Sequence, residues 1–137
     1  MYDLVLKNCY LVNENRSSEV DIAIRNQRIE KIASNIDCES KEVLDCGGKL
    51  VIPGLIDDQV HFREPGLTHK GEIATESKAA IAGGVTSYFE MPNVNPNTST
   101  IENLNKKFDM ASSRSYANYS FYLGATNETV SYTHLRA

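Results

Sequence analysis

Apolar and polar residues alternate through the first fifty positions, and then the pattern changes. "YDLVLKNCYLV", from Tyr2, alternates into two short strands broken near Lys7-Asn8. "DIAIRNQRIEKIA" predicts a hairpin, with Ile22 and Ile24 before a turn at Asn26-Gln27 and Ile29 and Ile32 after it. "KEVLDCGGKLVIPG" gives two more strand fragments around Gly47-Gly48, and Pro53-Gly54 punctuates the end of this region. Beyond Gly54, strands and helices take turns. A strand over residues 55–62 leads through a Pro-Gly loop into a helix near residues 68–82. That helix carries Ile73, Ala80 and Ile81 on one side and stops at Gly83-Gly84. "VTSYFEM" is a second strand and "PNVNPNT" a loop. The next helix opens with a capping box from Ser99 to Glu102, and Ile101, Leu104, Phe108 and Ala111 share one of its faces. "ANYSFYLGA" is a third strand.

Strand-helix-strand-helix-strand is the rhythm of a parallel sheet with helical crossovers. A small doubly wound sheet and the opening of a β/α barrel both fit it, and a complete barrel takes about 250 residues. The expected organisation is therefore a β segment over residues 1–53 and a β/α segment over residues 54–129. The last residues, 130–137, "VSYTHLRA", have neither a helical nor a strand face. They read as a non-native or truncated tail that resembles translated adaptor sequence, which sets His134 aside. An ordinary connection into a further helix is the alternative.

Composition narrows the function classes. The chain has 137 residues, 41% hydrophobic and 23% charged, with a net charge of −4 and no block of Lys or Arg. That argues against a nucleic-acid or anionic-membrane surface. No apolar run approaches the roughly 20 residues of a membrane span. The N-terminus lacks the basic region and cleavage site of a signal peptide. Cys9, Cys38 and Cys46 form no CxxC pattern. An odd count at loose spacing fits a reducing cytoplasm, with buried or incidental thiols.

The candidate chemistry lies in "GLIDDQVHFREPG", residues 54–66. Alternate strand residues share a face. Asp57, Gln59, His61 and Arg63 therefore form one polar row, with Ile56, Asp58, Val60 and Phe62 on the other side. Functional groups of β/α barrels gather at the C-terminal ends of the strands. His61 offers a neutral imidazole nitrogen, the commonest metal ligand; a hydrogen-bonded structural His is the alternative. Arg63 offers a planar fork suited to a carboxylate. Asp57 either orients a metal ligand from behind or caps loop amides. Asp58 faces the helices, His69 is a solvated loop residue, and Glu90 points away from the side of Asn93 in a structural role.

The motif resembles the opening barrel strand of dihydroorotases, Asp-x-His-x-His-x-Arg-x-Pro-Gly. "AAIAGGVTSYFEMPNVNP" resembles the second helix-strand unit of that family, including its Met-Pro-Asn turn. "NCYLVNENRSSEVDIAIRNQRIEKIA … GGKLVIPG" is similar to the small β-sandwich that precedes the barrel in amidohydrolases. The resemblance covers residues 2 to about 128. It implies an α/β chain: the N-terminal part of a β-sandwich, then the first three β/α units of an incomplete TIM-like barrel. The implied activity interconverts dihydroorotate and N-carbamoyl-aspartate in pyrimidine synthesis, using one or two zinc ions, in the cytoplasm and with homo-oligomers possible. His61 matches a zinc ligand, and Arg63 and Asn93 match the residues that hold the substrate carboxylate. Gln59 stands where the family places its first motif His, and an amide oxygen is a poorer zinc donor. The family's later ligands and catalytic Asp have no counterpart in the chain, so it is expected to be an N-terminal fragment without a catalytic residue of its own. An allantoinase or dihydropyrimidinase-type hydrolase, and a non-catalytic scaffold, are the rivals.

Overall fold

The computed structural model describes residues 1–127. The expected tail from Val130 lies outside them. The chain divides between Pro53 and Gly54 into two compact units.

The first unit is a five-stranded sheet. Its strands are β1 (Tyr2–Asn13), β2 (Arg16–Arg25), β3 (Arg28–Ala33), β4 (Ser40–Asp45) and β5 (Leu50–Val51), in the order β3-β2-β1-β4, with β5 also paired to β1. The first three strands form antiparallel hairpins, while β4 and β5 run parallel to β1. Both hairpin turns place two consecutive residues at positive φ, Glu14-Asn15 and Asn26-Gln27. That geometry matches the right-handed twist of the flanking strands. The expected break near Lys7-Asn8 is a bulge inside one continuous strand, with Asn8 at φ 54°.

The bulge is held by a buried carboxylate. Asp21 accepts from Lys7 Nζ at 2.7 Å, Asn8 N at 3.0 Å and Ile36 N at 2.9 Å. Beside it Val5, Ala23 and Ile36 form a small core with Tyr2 and Ala33. The hairpin's apolar set does not share one buried face: Ile22 is buried, but Ile29 and Ile32 are exposed.

The second unit is a three-stranded parallel sheet in the order β6-β7-β8, made of β6 (Leu55–Val60), β7 (Val85–Glu90) and β8 (Asn118–Phe121). Helix α1 (Ile73–Ala82) joins the first pair and packs on β7; α2 (Ile101–Ser112) joins the second and packs on β8. Phe62, Ile73, Tyr88, Ala111, Ala117 and Phe121 are its core, with the Phe62 and Tyr88 rings 4.5 Å apart. Leu55 and Ile56 are exposed at the start of β6, an edge strand among the described residues, whereas Val60 at its end packs against this core. No helix among the described residues is long and apolar enough to cross a membrane.

Several boundaries differ from the sequence pattern, among them β8, which covers only Asn118–Phe121. Strand β6 ends at Val60, two residues early, which leaves His61 to Arg63 in the connection. Helix α1 starts at Ile73 rather than near position 68. Its first N–H is taken by the remote Glu64 carboxylate at 2.8 Å, and the intervening residues form turns. Helix α2 is capped one residue late: Thr100 Oγ1 accepts from Asn103 N at 3.1 Å.

Asp21 gives the first unit an acid sensitivity. Burial alone would push its pKa up, but the hydrogen bonds from Lys7, Ile36 and Asn8 prevail and hold it below the usual carboxylate range. The ionised form is favoured by the fold. Its contribution is therefore present above the unfolded pKa, about 3.9, and is lost as pH falls through the depressed folded value. Thermal melts from about pH 6 to about pH 2 should show a fall in stability that Asp21→Asn largely removes, the two proteins converging at low pH. Parallel curves would exclude Asp21 as the source.

Candidate functional site

Three loops leave the C-terminal ends of the parallel strands: residues 61–67 after β6, 91–98 after β7 and 122–125 after β8. Backbone hydrogen bonds join them in series. Met91 N donates to Val60 O at 3.0 Å, Asn95 N to Pro65 O at 3.0 Å, Tyr122 N to Glu90 O at 3.0 Å and Gly124 N to Thr98 O at 2.7 Å. Gly66 sits at φ 80° against Asn95, where a Cβ would overlap the Asn95 carbonyl.

His61 is exposed at the mouth of this loop cluster, with Nδ1 2.9 Å from Asn93 Oδ1. An amide oxygen only accepts, so the proton of a neutral ring resides on Nδ1. That leaves the Nε2 lone pair available to a metal or a proton, the usual division of labour in metal-binding imidazoles. Sequence reasoning expected Asn93 to grip a ligand with Arg63. The structure joins Asn93 to His61, a contact that expectation did not include.

Arg63 is half-buried and adopts φ 71°. A left-handed backbone costs a side-chain-bearing residue about 1–2 kcal/mol. Its N–H donates to Glu90 Oε1 at 3.0 Å, which holds it there. Among the described residues its guanidinium has no hydrogen-bond or ion-pair partner. Glu90 is wholly buried and lies 3.0 Å from Nζ of the equally buried Lys107, off the line of a hydrogen bond. Lys107 Nζ also donates to Met91 O at 3.3 Å and lies over the Phe121 ring. Burial pushes the Glu90 carboxyl up against the pull of Lys107, and pushes the Lys107 ammonium down against the pull of Glu90.

The polar row expected on β6 does not continue undisturbed. Strand register is irregular between Asp57 and Val60. As a result Asp58 and Gln59, expected on opposite faces, both line a cleft of about 440 Å3 with Met91, Pro92 and Tyr122. Asp57 accepts from Gln59 N, an amide of its own strand, at 3.1 Å. Among the described residues, no three His, Cys, Asp or Glu side chains converge to hold a metal. His69 is exposed, as expected of a loop residue.

Sequence reasoning missed two supports. One is Lys107, which is buried on α2 beside the expected face, where Phe108 still packs on Phe121 and Tyr119. A Lys at i+3 from Leu104, together with a Glu at the end of an apolar strand, was the available signal. The other is Glu64, which pairs with Arg114 at 2.8 Å while capping α1.

This architecture is that of the amidohydrolases. The L-hydantoinase (dihydropyrimidinase) of Arthrobacter aurescens superposes with a TM-score of 0.90 at 32% identity, over 93% of this chain and 29% of that one. The family model described as Dihydro-orotase-like matches residues 48–128, and the chain belongs to that family. A dihydroorotase of Fusobacterium nucleatum is 41% identical over 107 residues, 78% of this chain and 25% of the relative. An allantoinase of Desulfitobacterium hafniense is 41% identical over 127 residues, 92% of this chain and 28% of the relative. The chain thus spans about a quarter of the length of these curated relatives.

The Glu90–Lys107 pair should respond asymmetrically to substitution. Lys107→Met leaves a buried carboxylate without its counter-ion and should destabilise the chain by about 3 kcal/mol or more. Adding Glu90→Gln should recover most of that loss, since the amide oxygen can still accept from Arg63 N. Urea denaturation of the two variants checks this; a Lys107→Met chain as stable as the parent would contradict it.

Proposed function

We propose that this chain supplies part of the active site of a zinc-dependent dihydroorotase, a cyclic-amide hydrolase interconverting dihydroorotate and N-carbamoyl-aspartate. In this reading β6 to β8 are the first three β/α units of a barrel, and residues 1–53 are part of its β-sandwich. The observation that carries the choice of substrate is Arg63. It presents a guanidinium with no partner among the described residues at a strand end, on a backbone fixed by a buried carboxylate. A planar cation so placed suits the substrate carboxylate, which it can grip through two parallel hydrogen bonds.

The donor set fits a metal at one position and poorly at another. His61, with its Nδ1 proton directed at Asn93, offers Nε2 to zinc. Gln59 offers only an amide oxygen, a harder and weaker donor. Zinc would polarise the ring amide carbonyl and make water nucleophilic near neutral pH. The chain's own residues do the rest of what is assigned here. Asn93 fixes the imidazole, Arg63 positions the carboxylate, and Glu90 with Lys107 braces the Arg63 backbone. General acid-base groups would come from outside residues 1–127.

An allantoinase is the second reading. It is favoured by the Desulfitobacterium relative, which matches over more of this chain than the Fusobacterium dihydroorotase does at the same identity. Allantoin carries no carboxylate for Arg63 to hold.

Two measurements on the longer hydrolase test these assignments. Arg63→Lys keeps the charge but loses the fork, so kcat/KM on dihydroorotate should fall at least about tenfold, roughly 1.4 kcal/mol. Unchanged kinetics, with turnover of allantoin, would favour the second reading. Gln59→His should raise the number of zinc ions retained after dialysis from one to two. Two tightly held ions in the unmodified protein would defeat the argument from Gln59, and none would favour a scaffold.

A further inference from the structure

The first unit holds a feature that neither hydrolase reading uses. Cys9 lies on β1 immediately after its bulge and is fully buried. Cys46 lies just past the end of β4 and is half-buried. Their sulfurs are 3.5 Å apart, both thiols being free, and the Cys9 S–H can donate to Cys46 Sγ or to Lys7 O at 3.9 Å. The sequence offers no hint of this, since 36 residues separate the two.

The backbone keeps the two thiols together. Cys46 N donates to Lys7 O at 2.8 Å, Gly48 N to Asn8 O at 2.8 Å and Tyr10 N to Lys49 O at 3.0 Å. The segment that carries Cys46 is thus fastened to β1 on both sides of Cys9. Gly47 and Gly48, at φ 57° and 76°, make the turn that permits it. Sulfurs at 3.5 Å need only small side-chain rotations to reach the bond length of about 2.05 Å.

We propose that Cys9 and Cys46 form a dithiol modification site, which a small-molecule disulfide such as glutathione disulfide oxidises to an intramolecular disulfide. Cys46 is the accessible member and reacts first. Its thiolate attacks one sulfur of glutathione disulfide, the S–S bond of that molecule breaks, and one glutathione thiolate leaves. Cys9 then attacks the Cys46 sulfur of the mixed disulfide and displaces the second glutathione thiolate. The two thiol protons end on the two glutathiones, and the protein dithiol is oxidised as one glutathione disulfide is reduced. Burial, then the hydrogen bond to Cys46, pushes the Cys9 thiol up. That fits Cys9 as the resolving partner rather than the first nucleophile. Cys38, exposed and unpaired with either, is an internal control.

The test is peptide mapping of the 137-residue chain after treatment with glutathione disulfide and blocking of the remaining thiols. The expected result is a Cys9–Cys46 linked peptide, two hydrogens lighter than the reduced pair, with Cys38 free or glutathione-bound. Cys9→Ser should arrest Cys46 as a stable glutathione adduct. Mapping of the unmodified chain decides the matter if that variant does not fold. A persistent glutathione adduct on Cys46 in the unmodified chain would overturn the proposal. So would free Cys9 and Cys46 beside a modified Cys38, or a link from Cys38 to either of them.

Discussion

The second unit depends on one buried carboxylate. Glu90 ends the central strand, and each part of it reaches a different neighbour. Oε1 takes the Arg63 N–H beyond β6, Oε2 faces Lys107 on α2, and the backbone carbonyl takes the Tyr122 N–H beyond β8. Removing a charge from water is expensive, and a buried pair returns that expense only when both members stay in place. The pair therefore acts less as a source of stability than as a condition on geometry: the strand ends must lie where Glu90 and Lys107 can be satisfied together.

The outer loops obey the same logic with weaker contacts. Glu64 joins the loop after β6 to the start of α1, and through Arg114 to the residues after α2. Arg114 also reaches Glu72, which precedes α1. The Gly66–Asn95 approach and the Asn95–Pro65 hydrogen bond set the loops after β6 and β7 against each other. His61 and Asn93 meet across that same seam. Their contact needs no long-range coincidence, because the two loops carrying them are already fastened a few residues further on.

Much of the element order was legible in the sequence, because period-two and helical spacing are local properties. Both hairpin strands, the Asn26-Gln27 turn, both helices and the three parallel strands follow from it. What was not legible depended on residues distant in sequence. The start of α1 is set by Glu64, which no capping rule within the helix would find. The burial of Lys107 on α2 depends on Glu90 lying opposite, at the end of another element. Strict alternation placed Asp58 and Gln59 on opposite sides of β6, and a register irregularity brings both to one cleft. His61 and Arg63 stood out by residue type and position, and Asn93 only through the family resemblance. That Asn93 would engage His61 required the fold.

Glu90 holds position 63 by its main-chain N–H and not by its side chain. Every residue except proline has that group to offer. The anchor and the chemical identity of position 63 are therefore separable, and the side chain can be exchanged while the loop keeps its path. Only the left-handed backbone limits the exchange, and it favours glycine or asparagine among replacements. A scaffold built this way can change the functional group it shows to a ligand at little cost to its own architecture, which is what descent into hydrolases of different ring substrates would demand.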